Sequence, residues 1–424
     1  MSIFLNKIFS RSNNLDYISQ NLKNLTKQTT AKKIFKAINN YSDNSEVRYV
    51  GGCIRKIINN EIVDDIDLAT NLNPNETCEA LRNEQINFYE TGIKHGTITA
   101  IINEQKYEIT SLRKDIKTDG RHADVEFSRD WKEDASRRDF SINSIYSDMD
   151  GNLFDPYNGK KDLENGIINF VGDAEKRIKE DYLRILRYIR FYLNYSKQKH
   201  DIEIIRAIKR NIGGVSKISA ERLLDELKKL VKSNSFLKLF SDEDCLELIR
   251  IIFPQLKKLD RLEKLNSYAL ENFHKIDFIF LIALIIIDGT DNTEYFFYKF
   301  NISKKDQKRI KTIDLFYRDK INIKSFNEKN LNKILYFNGK QAVIDIVNFK
   351  LFISNKVEKN LIKIIEIFKN KKIPNMPVGA NLLMSKYNIP EGRSLGIKLR
   401  KLEETWIEND FIITEKQIEK ITKT

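Results

Sequence analysis

Val47-Arg48-Tyr49-Val50-Gly51-Gly52-Cys53-Ile54-Arg55, followed shortly by Asp64-Asp65-Ile66-Asp67-Leu68, decides how this chain is read. Val47–Val50 reads as a short strand running into a glycine pair, and Cys53–Asn59 has helical spacing. Without a Cβ at either glycine, backbone N–H groups can approach phosphate oxygens. Ile62–Leu68 reads as a strand, which would point the carboxylates of Asp65 and Asp67 to one face. Two adjacent carboxylates repel unless cations sit between them, and hard oxygen ligands suit Mg²⁺. A phosphate cradle beside such a pair suggests nucleotidyl transfer. The competing reading of Asp64–Asp67 is an acidic turn.

At 424 residues the chain exceeds one core and suits two or more domains. Its 73 Lys and Arg against 60 Asp and Glu give a net charge of +13, which favours a nucleic-acid or other acidic partner. A bias toward Lys, Ile and Asn codons would give the same excess. Cys53, Cys78 and Cys245 stand far apart and there are four histidines, arguing against a zinc ribbon or finger and against a disulfide framework. A reducing compartment fits, and the chain reads as cytoplasmic. The apolar run Phe278–Ile287, flanked by Asp277 and Asp288, is too short to span a bilayer and reads as a buried helix, so no membrane partner is expected. Met1–Thr30 lacks a secretory signal pattern, and its Lys, Arg and Ser leave a transit peptide as the alternative. The sequence sets no oligomeric state.

The chain changes character near residue 170. Before it, His95–Ile102 and Gln105–Leu112 read as two strands joined at Asn103-Glu104, completing a mixed α/β region. After Gly172 the pattern is almost continuously helical: Glu175–Asn194, Ala220–Lys232, Ile276–Asp288 and Asn360–Lys369 all show helical apolar spacing, with Gly213-Gly214 between the first two. The fold class is an α/β head followed by an all-α half.

Further residues carry chemistry. Glu108, between Tyr107 and Ile109 on a strand, would stand as a third carboxylate or proton acceptor, or as an edge glutamate facing water. Arg137-Arg138 would hold triphosphate oxygens in bidentate fashion. Asp139 and Asn143, four apart on a helix, would bind ribose hydroxyls. An ordinary charged helix start, capped by Asp134 or Ser136, is the alternative. Glu180-Asp181-Tyr182-Leu183-Arg184 opens a helix running to Phe191, with Asp181 and Arg184 on one face. There the carboxylate would accept from the amino group of cytosine or adenine while the guanidinium donates to the adjacent ring nitrogen; guanine and uracil would leave an acceptor unpaired. Arg187 and Arg190 extend the basic row toward phosphates or RNA. A surface Asp181–Arg184 salt bridge and a solvated basic stripe would account for the same pattern.

In order, Gly51-Gly52-Cys53-Ile54-Arg55, Asp65-Ile66-Asp67-Leu68-Ala69-Thr70, Arg137-Arg138-Asp139-Phe140-Ser141-Ile142-Asn143, Asp155-Pro156-Tyr157-Asn158-Gly159, Gly172-Asp173-Ala174, Glu180–Arg184 and Ala220-Glu221-Arg222 resemble the class II tRNA nucleotidyltransferases and their relatives, the bacterial poly(A) polymerases. Similarity is continuous over residues 47–232 and weaker to the end, at Gly379, Gly392, Gly396 and Trp406. The resemblance implies a polymerase-β-like nucleotidyltransferase head over residues 30–168, then a helical neck (169–235), body (236–340) and tail (341–424) that grip the tRNA acceptor arm and 3′ end. It implies that Asp65 and Asp67 bind Mg²⁺. It implies that Gly52, Arg55, Arg138, Asp181, Arg184, Arg187 and Arg190 contact the incoming ATP or CTP. The sequence departs from the family at Lys56, where Asp is usual, at Asn60, where Gly is common, and at Ser141 and Ser144.

Complete CCA synthesis, partial CC or A addition, and poly(A) tailing share these motifs. The polar segment Arg113–His122, containing Gly120, is similar to the flexible loop of full CCA-adding enzymes, and with Glu180–Arg184 intact it favours CCA addition. Poly(A) polymerase is the runner-up; a catalytically silent RNA-binding relative is the alternative from another class. Lys304, Lys305, Lys308, Arg309 and Lys311 are the basic residues expected to meet RNA phosphates, or else form a solvated helix face.

Overall fold

The computed structural model describes residues 14–118, 123–318 and 326–423. The backbone divides into two units, Met1–Ile252 and Phe253–Thr424. The first is α/β and then helical; in the second, the described elements are all helices.

Seven strands of the first unit form one sheet in the order β3-β4-β5-β2-β1-β8-β9, built from β1 (Val47–Val50), β2 (Asp67–Thr70), β3 (Asn87–Gly92), β4 (Thr97–Ile102), β5 (Gln105–Ser111), β8 (Tyr146–Ser147) and β9 (Leu153–Phe154). The β2–β5 pair is parallel and aligns Asp67 with Glu108 and Leu68 with Ile109. Alternation along β4 buries Ile98, Ala100 and Ile102, and along β5 it buries Tyr107 and Ile109 while leaving Glu108 exposed. Leu68, Ile98 and Ile109 join one core with Tyr49, Ile54 and Phe35. Each such aliphatic side chain contributes about 1.5–3 kcal/mol by leaving water. Asp67 and Glu108 therefore project from the opposite face. There a smaller cluster of Val50, Ala69, Leu112, Ala135 and Tyr146 seats the helix Trp131–Arg137.

The strand expected at Ile62–Leu68 starts only at Asp67, so Asp65 lies in the preceding irregular segment. The cause is the partner: β1 pairs Tyr49 with Leu68 and then turns away at Gly51, leaving no β1 residue to pair with Asp65. The helix expected over Glu175–Asn194 is two helices, Ala174–Glu180 and Leu183–Tyr195, interrupted by an extended Asp181. The polar segment read as a loop is in part a strand, β6 (Arg113–Thr118), paired antiparallel with β7 (Ala123–Phe127). A ladder closed by backbone bonds needs no apolar alternation, so its polarity misled; Asp119–His122 lie outside the described residues.

In the second unit, Phe278–Ile286 is the buried helix expected, capped by Asp277 Oδ1, which accepts from Ile279 N–H at 2.9 Å. Among the described residues no helix is long and apolar enough to cross a membrane. On the helix Lys304–Arg318, Lys304, Lys305 and Lys308 are exposed, whereas Arg309 donates to both Asp277 (2.7 Å) and Asp345 (2.6 Å). Lys311 pairs with Glu294 at 2.9 Å. Arg309 is thus engaged by carboxylates of its own unit, buried Asp345 and exposed Asp277.

Candidate active site

The glycine turn is built as its sequence requires. Gly51 has φ 67° and ψ −111°, a conformation open to glycine, and its N–H donates to the Ile145 carbonyl at 3.1 Å. Gly52 begins the helix Gly52–Ile58. Asn60, where a glycine is common, holds φ 57°; asparagine tolerates this left-handed region, so the departure keeps the backbone path. Lys56, the other departure, pairs with Asp64. Of the three clustered aspartates, Asp64 is thus neutralised by a lysine of the glycine-turn helix, leaving Asp65 and Asp67 as the open pair.

Asp67 stands beside Glu108 across the parallel ladder. Its carboxyl is pushed above the usual range, first by burial and then by Glu108; Asp65 adds to this, while Arg138 and Arg55 oppose it. The group is a concentration of negative charge and oxygen donors, the donor set a hard divalent cation requires.

Arg138 follows the end of the helix Trp131–Arg137, not the start of one: Asp130 is the N-cap, and Arg138 is extended with ψ 160°. Asp134 is not a cap but a buried hub. Its Oδ1 accepts from Arg137 Nε at 2.8 Å, and its Oδ2 accepts from Arg138 Nη2 at 3.1 Å and Tyr146 Oη at 2.6 Å. Arg138 Nε also donates to Tyr146 Oη at 2.8 Å. A Cβ placed on Gly51 would lie 3.7 Å from Arg138 Nη1, so the guanidinium borders the glycine turn.

Asp139 and Asn143 do meet, though not on one helix: Asn143 Nδ2 donates to Asp139 Oδ1 at 2.8 Å across a short 3₁₀ turn, Ser141–Asn143. Asn143 Oδ1 accepts from Arg55, and Asp139 Oδ2 accepts from Arg187 Nε at 2.6 Å. Burial pushes Asp139 up, but Arg187 and then Asn143 outweigh it and hold its carboxyl at about 2. Arg190 pairs with buried Glu226. Arg55, Arg187 and Arg190 all lie over the Phe191 ring, at 4.7, 5.5 and 4.3 Å from its centroid. The row expected to face phosphate or RNA therefore wraps one aromatic ring, with its charges met by Asp139 and Glu226.

Asp181 and Arg184 do not pair with each other. Asp181 Oδ2 accepts from Arg222 Nη2 at 2.7 Å, and Arg184 Nη1 donates to Glu180 Oε2 at 2.8 Å. Asp181 also accepts from Leu183 N–H at 3.1 Å, which fixes the helix break. Sequence reasoning missed Asp134, Tyr146 and Phe191. Their signal was only that each is a polar or aromatic residue one to eight positions from a motif arginine.

Gly214 explains why a glycine pair follows this helix. A Cβ there would strike the ring of Tyr182, the residue between Asp181 and the helix Leu183–Tyr195. Gly214→Ala is expected to displace Tyr182 and cost about 1–3 kcal/mol in thermal unfolding. An unchanged melting curve would show the space to be available.

Residues 47–169 match the family described as "Poly A polymerase head domain", and residues 201–259 match "Probable RNA and SrmB- binding site of polymerase A". The chain is 34% identical to the human protein named CCA tRNA nucleotidyltransferase 1, mitochondrial, over 87% of this chain and 84% of that one. It is 30% identical to the CCA-adding enzyme of Lactobacillus johnsonii, over 91% and 96% of the two chains. The fold resembles the crystal structure of the Bacillus stearothermophilus CCA-adding enzyme in complex with CTP, with a TM-score of 0.73 and 19% identity over 92% of this chain and 95% of that one.

Proposed function

This chain belongs to the CCA-adding tRNA nucleotidyltransferase family, and from that premise we propose that it adds CCA to the 3′ end of tRNA, using CTP and ATP and releasing pyrophosphate. The observation that carries the reading is the placement of the Asp67–Glu108 pair, the Gly51 turn and Arg138 around one end of the sheet. Asp181 stands in the break before the helix Leu183–Tyr195, and Arg184 lies in the first turn of that helix.

Enzymes of this family are metal-dependent. We assign Mg²⁺ to Asp65 and Asp67, with Glu108 alongside, because these are hard oxygen donors and Arg138 and Arg55 only partly offset the burial and repulsion felt by Asp67. Bound there, Mg²⁺ would supply charge withdrawal at the attacking hydroxyl and the α-phosphate oxygens. The protein's own residues do the rest. The Gly51-Gly52 turn and Arg138 hold the triphosphate. Asp139 and Asn143 face the ribose. Arg55 offers Nε, which is buried without a hydrogen-bond partner. Glu108 is placed to accept a proton from the 3′-hydroxyl. Asp181 and Arg184 read the base edge once it displaces Arg222 and Glu180, while Arg187 and Arg190 support the ring beneath them.

Head (30–168), neck (169–235), body (236–340) and tail (341–424) remain our division of the chain; the boundary between the two compact units falls inside the body. The body–tail boundary lies beside Gly339, whose φ of 81° kinks the helix Glu328–Ile353. The tRNA acceptor arm is assigned to the helical half, with Lys304, Lys305 and Lys308 as exposed phosphate contacts. A cytoplasmic location is supported by three free, buried cysteines.

Incubating a tRNA transcript lacking CCA with CTP, ATP or both, resolved at one nucleotide, tests the assignment. Expected are two additions with CTP alone and three with both nucleotides. Repeated addition of A from ATP alone would replace CCA synthesis by poly(A) tailing; stopping at CC with both present would make it a partial enzyme.

A further inference from the structure

His200, Asp242 and Cys245 lie away from every motif used above, yet their side chains converge. The ligand atoms of all three lie within 4.8 Å of one another. His200 Nε2 is 3.1 Å from Asp242 Oδ1 and 3.7 Å from Cys245 Sγ. A tetrahedral ion bound at about 2.3 Å to sulfur and about 2.0–2.1 Å to nitrogen and oxygen sets edges of roughly 3.6 Å for sulfur–nitrogen and roughly 3.3 Å for nitrogen–oxygen. The observed edges match that frame. Without an ion the same contacts serve as hydrogen bonds, Asp242 engaging both His200 and the Cys245 thiol, and binding would exchange these for bonds to the metal.

The imidazole is held as a metal ligand usually is. Its Nδ1 is 3.0 Å from Tyr188 Oη, so in the loaded site an Nδ1–H donated to that oxygen would free the Nε2 lone pair for the ion. The Tyr192 ring stacks on it at 3.5 Å with planes 14° apart, fixing its tilt. Asp242 is anchored too: its Oδ1 accepts from Cys245 N–H at 2.8 Å at the start of the helix Glu243–Ile252, and its Oδ2 stands 3.2 Å from His200 Nε2. Cys245 is buried while His200 and Asp242 are partly exposed, so the fourth position faces an opening suited to water.

We propose that His200, Asp242 and Cys245 form a second metal site, separate from the carboxylate pair, that takes a borderline-soft divalent ion of the Zn²⁺ class. A thiolate and an imidazole select such an ion over Mg²⁺. The site joins the turn after the helix Leu183–Tyr195 to the start of Glu243–Ile252 and so braces the helix that carries Arg184, Arg187 and Arg190. Its spacing, 42 residues from His200 to Asp242 and then three to Cys245, matches no ribbon or finger pattern, which is how it escaped the reading of the cysteines.

The test uses the full chain, stripped with chelator and kept in excess Mg²⁺, titrated with Co²⁺ and then Zn²⁺. Expected is one equivalent of Co²⁺ with a thiolate-to-cobalt charge-transfer band and a tetrahedral visible spectrum, displaced by Zn²⁺. The band should vanish in Cys245→Ser, and affinity should fall at least about a hundred-fold in His200→Asn. The other two cysteines remain in Cys245→Ser and serve as the internal control. Absence of the band in the wild-type chain at millimolar Co²⁺, or its survival in Cys245→Ser, overturns the site. Should Cys245→Ser fail to fold, the wild-type spectrum decides on its own whether a thiolate binds. The His200→Asn titration then decides which thiolate: unchanged affinity there overturns the assignment.

Discussion

Asp67→Asn is expected to reduce nucleotide incorporation at least about a thousand-fold while leaving the chain as heat-stable as before, or more so. The two halves of that expectation have one cause. Asp67 is pushed upward by burial and by Glu108, so the folded state binds its proton more tightly than the unfolded state does. A group raised in this way stabilises below its unfolded pKa and loses that contribution as pH rises through the folded value. At neutral pH the ionised Asp67 therefore works against folding, and the isosteric amide relieves it. A site retained against stability is what a charge-binding function requires. Single-turnover extension of a tRNA transcript, alongside a melting curve, checks both halves. Full incorporation by the variant would sink the metal assignment and revive the silent RNA-binding relative; a large fall in melting temperature would make Asp67 structural.

Asp134→Ala should do the reverse: destabilise by about 3–5 kcal/mol, because it strands Arg138 and Arg137 beside a cavity with no counter-charge. Asp134 is 1% exposed and accepts from both guanidiniums and from Tyr146. Burial pushes its carboxyl up, but Arg138 and then Arg137 outweigh burial and hold it well below the usual carboxylate range. The sign is therefore opposite to that of Asp67. The contribution is complete above the unfolded value near ~3.9 and is lost as pH falls below it. Asp139, held at about 2 against Arg187, adds to the same acid limb. Urea midpoints should be flat from about pH 5 to 7 and fall steeply below about pH 4, with a shallower fall in Asp134→Ala. A loss under about 1 kcal/mol would mean that Arg138 is held by Tyr146 alone.

The glycine turn, β4 and β5, the apolar helix Phe278–Ile286 and the division into an α/β head and an all-α half were legible because each has a local cause: periodicity, missing side chains or capping. What was not legible depended on partners distant in sequence. Asp65 drops out of β2 because β1 ends, and nothing near residue 65 says so. Helical spacing runs unbroken through Asp181, yet the helix breaks there, where the carboxylate takes Leu183 N–H and is held by Arg222 from a later helix. Arg309 looks like any other basic residue of Lys304–Arg318, and only the fold brings Asp277 and Asp345 to it. For the site, residue types and order sufficed to nominate side chains. They did not tell which of them face one another before substrate arrives.

Phe191 carries a consequence of its own. Arg55 comes from the helix after the glycine turn, Arg187 and Arg190 from the helix after Asp181, and all three rest on one ring. Three like charges tolerate such crowding only while Asp139 and Glu226 hold their places. On the proposed assignment the two ends of a bound nucleotide are thermodynamically linked: a shift of one guanidinium changes the field felt by the others, and by reciprocity the triphosphate end would influence the base end as strongly as the reverse. A wrong base would then loosen the grip on its own phosphates, so that fidelity is exercised through turnover as well as through affinity.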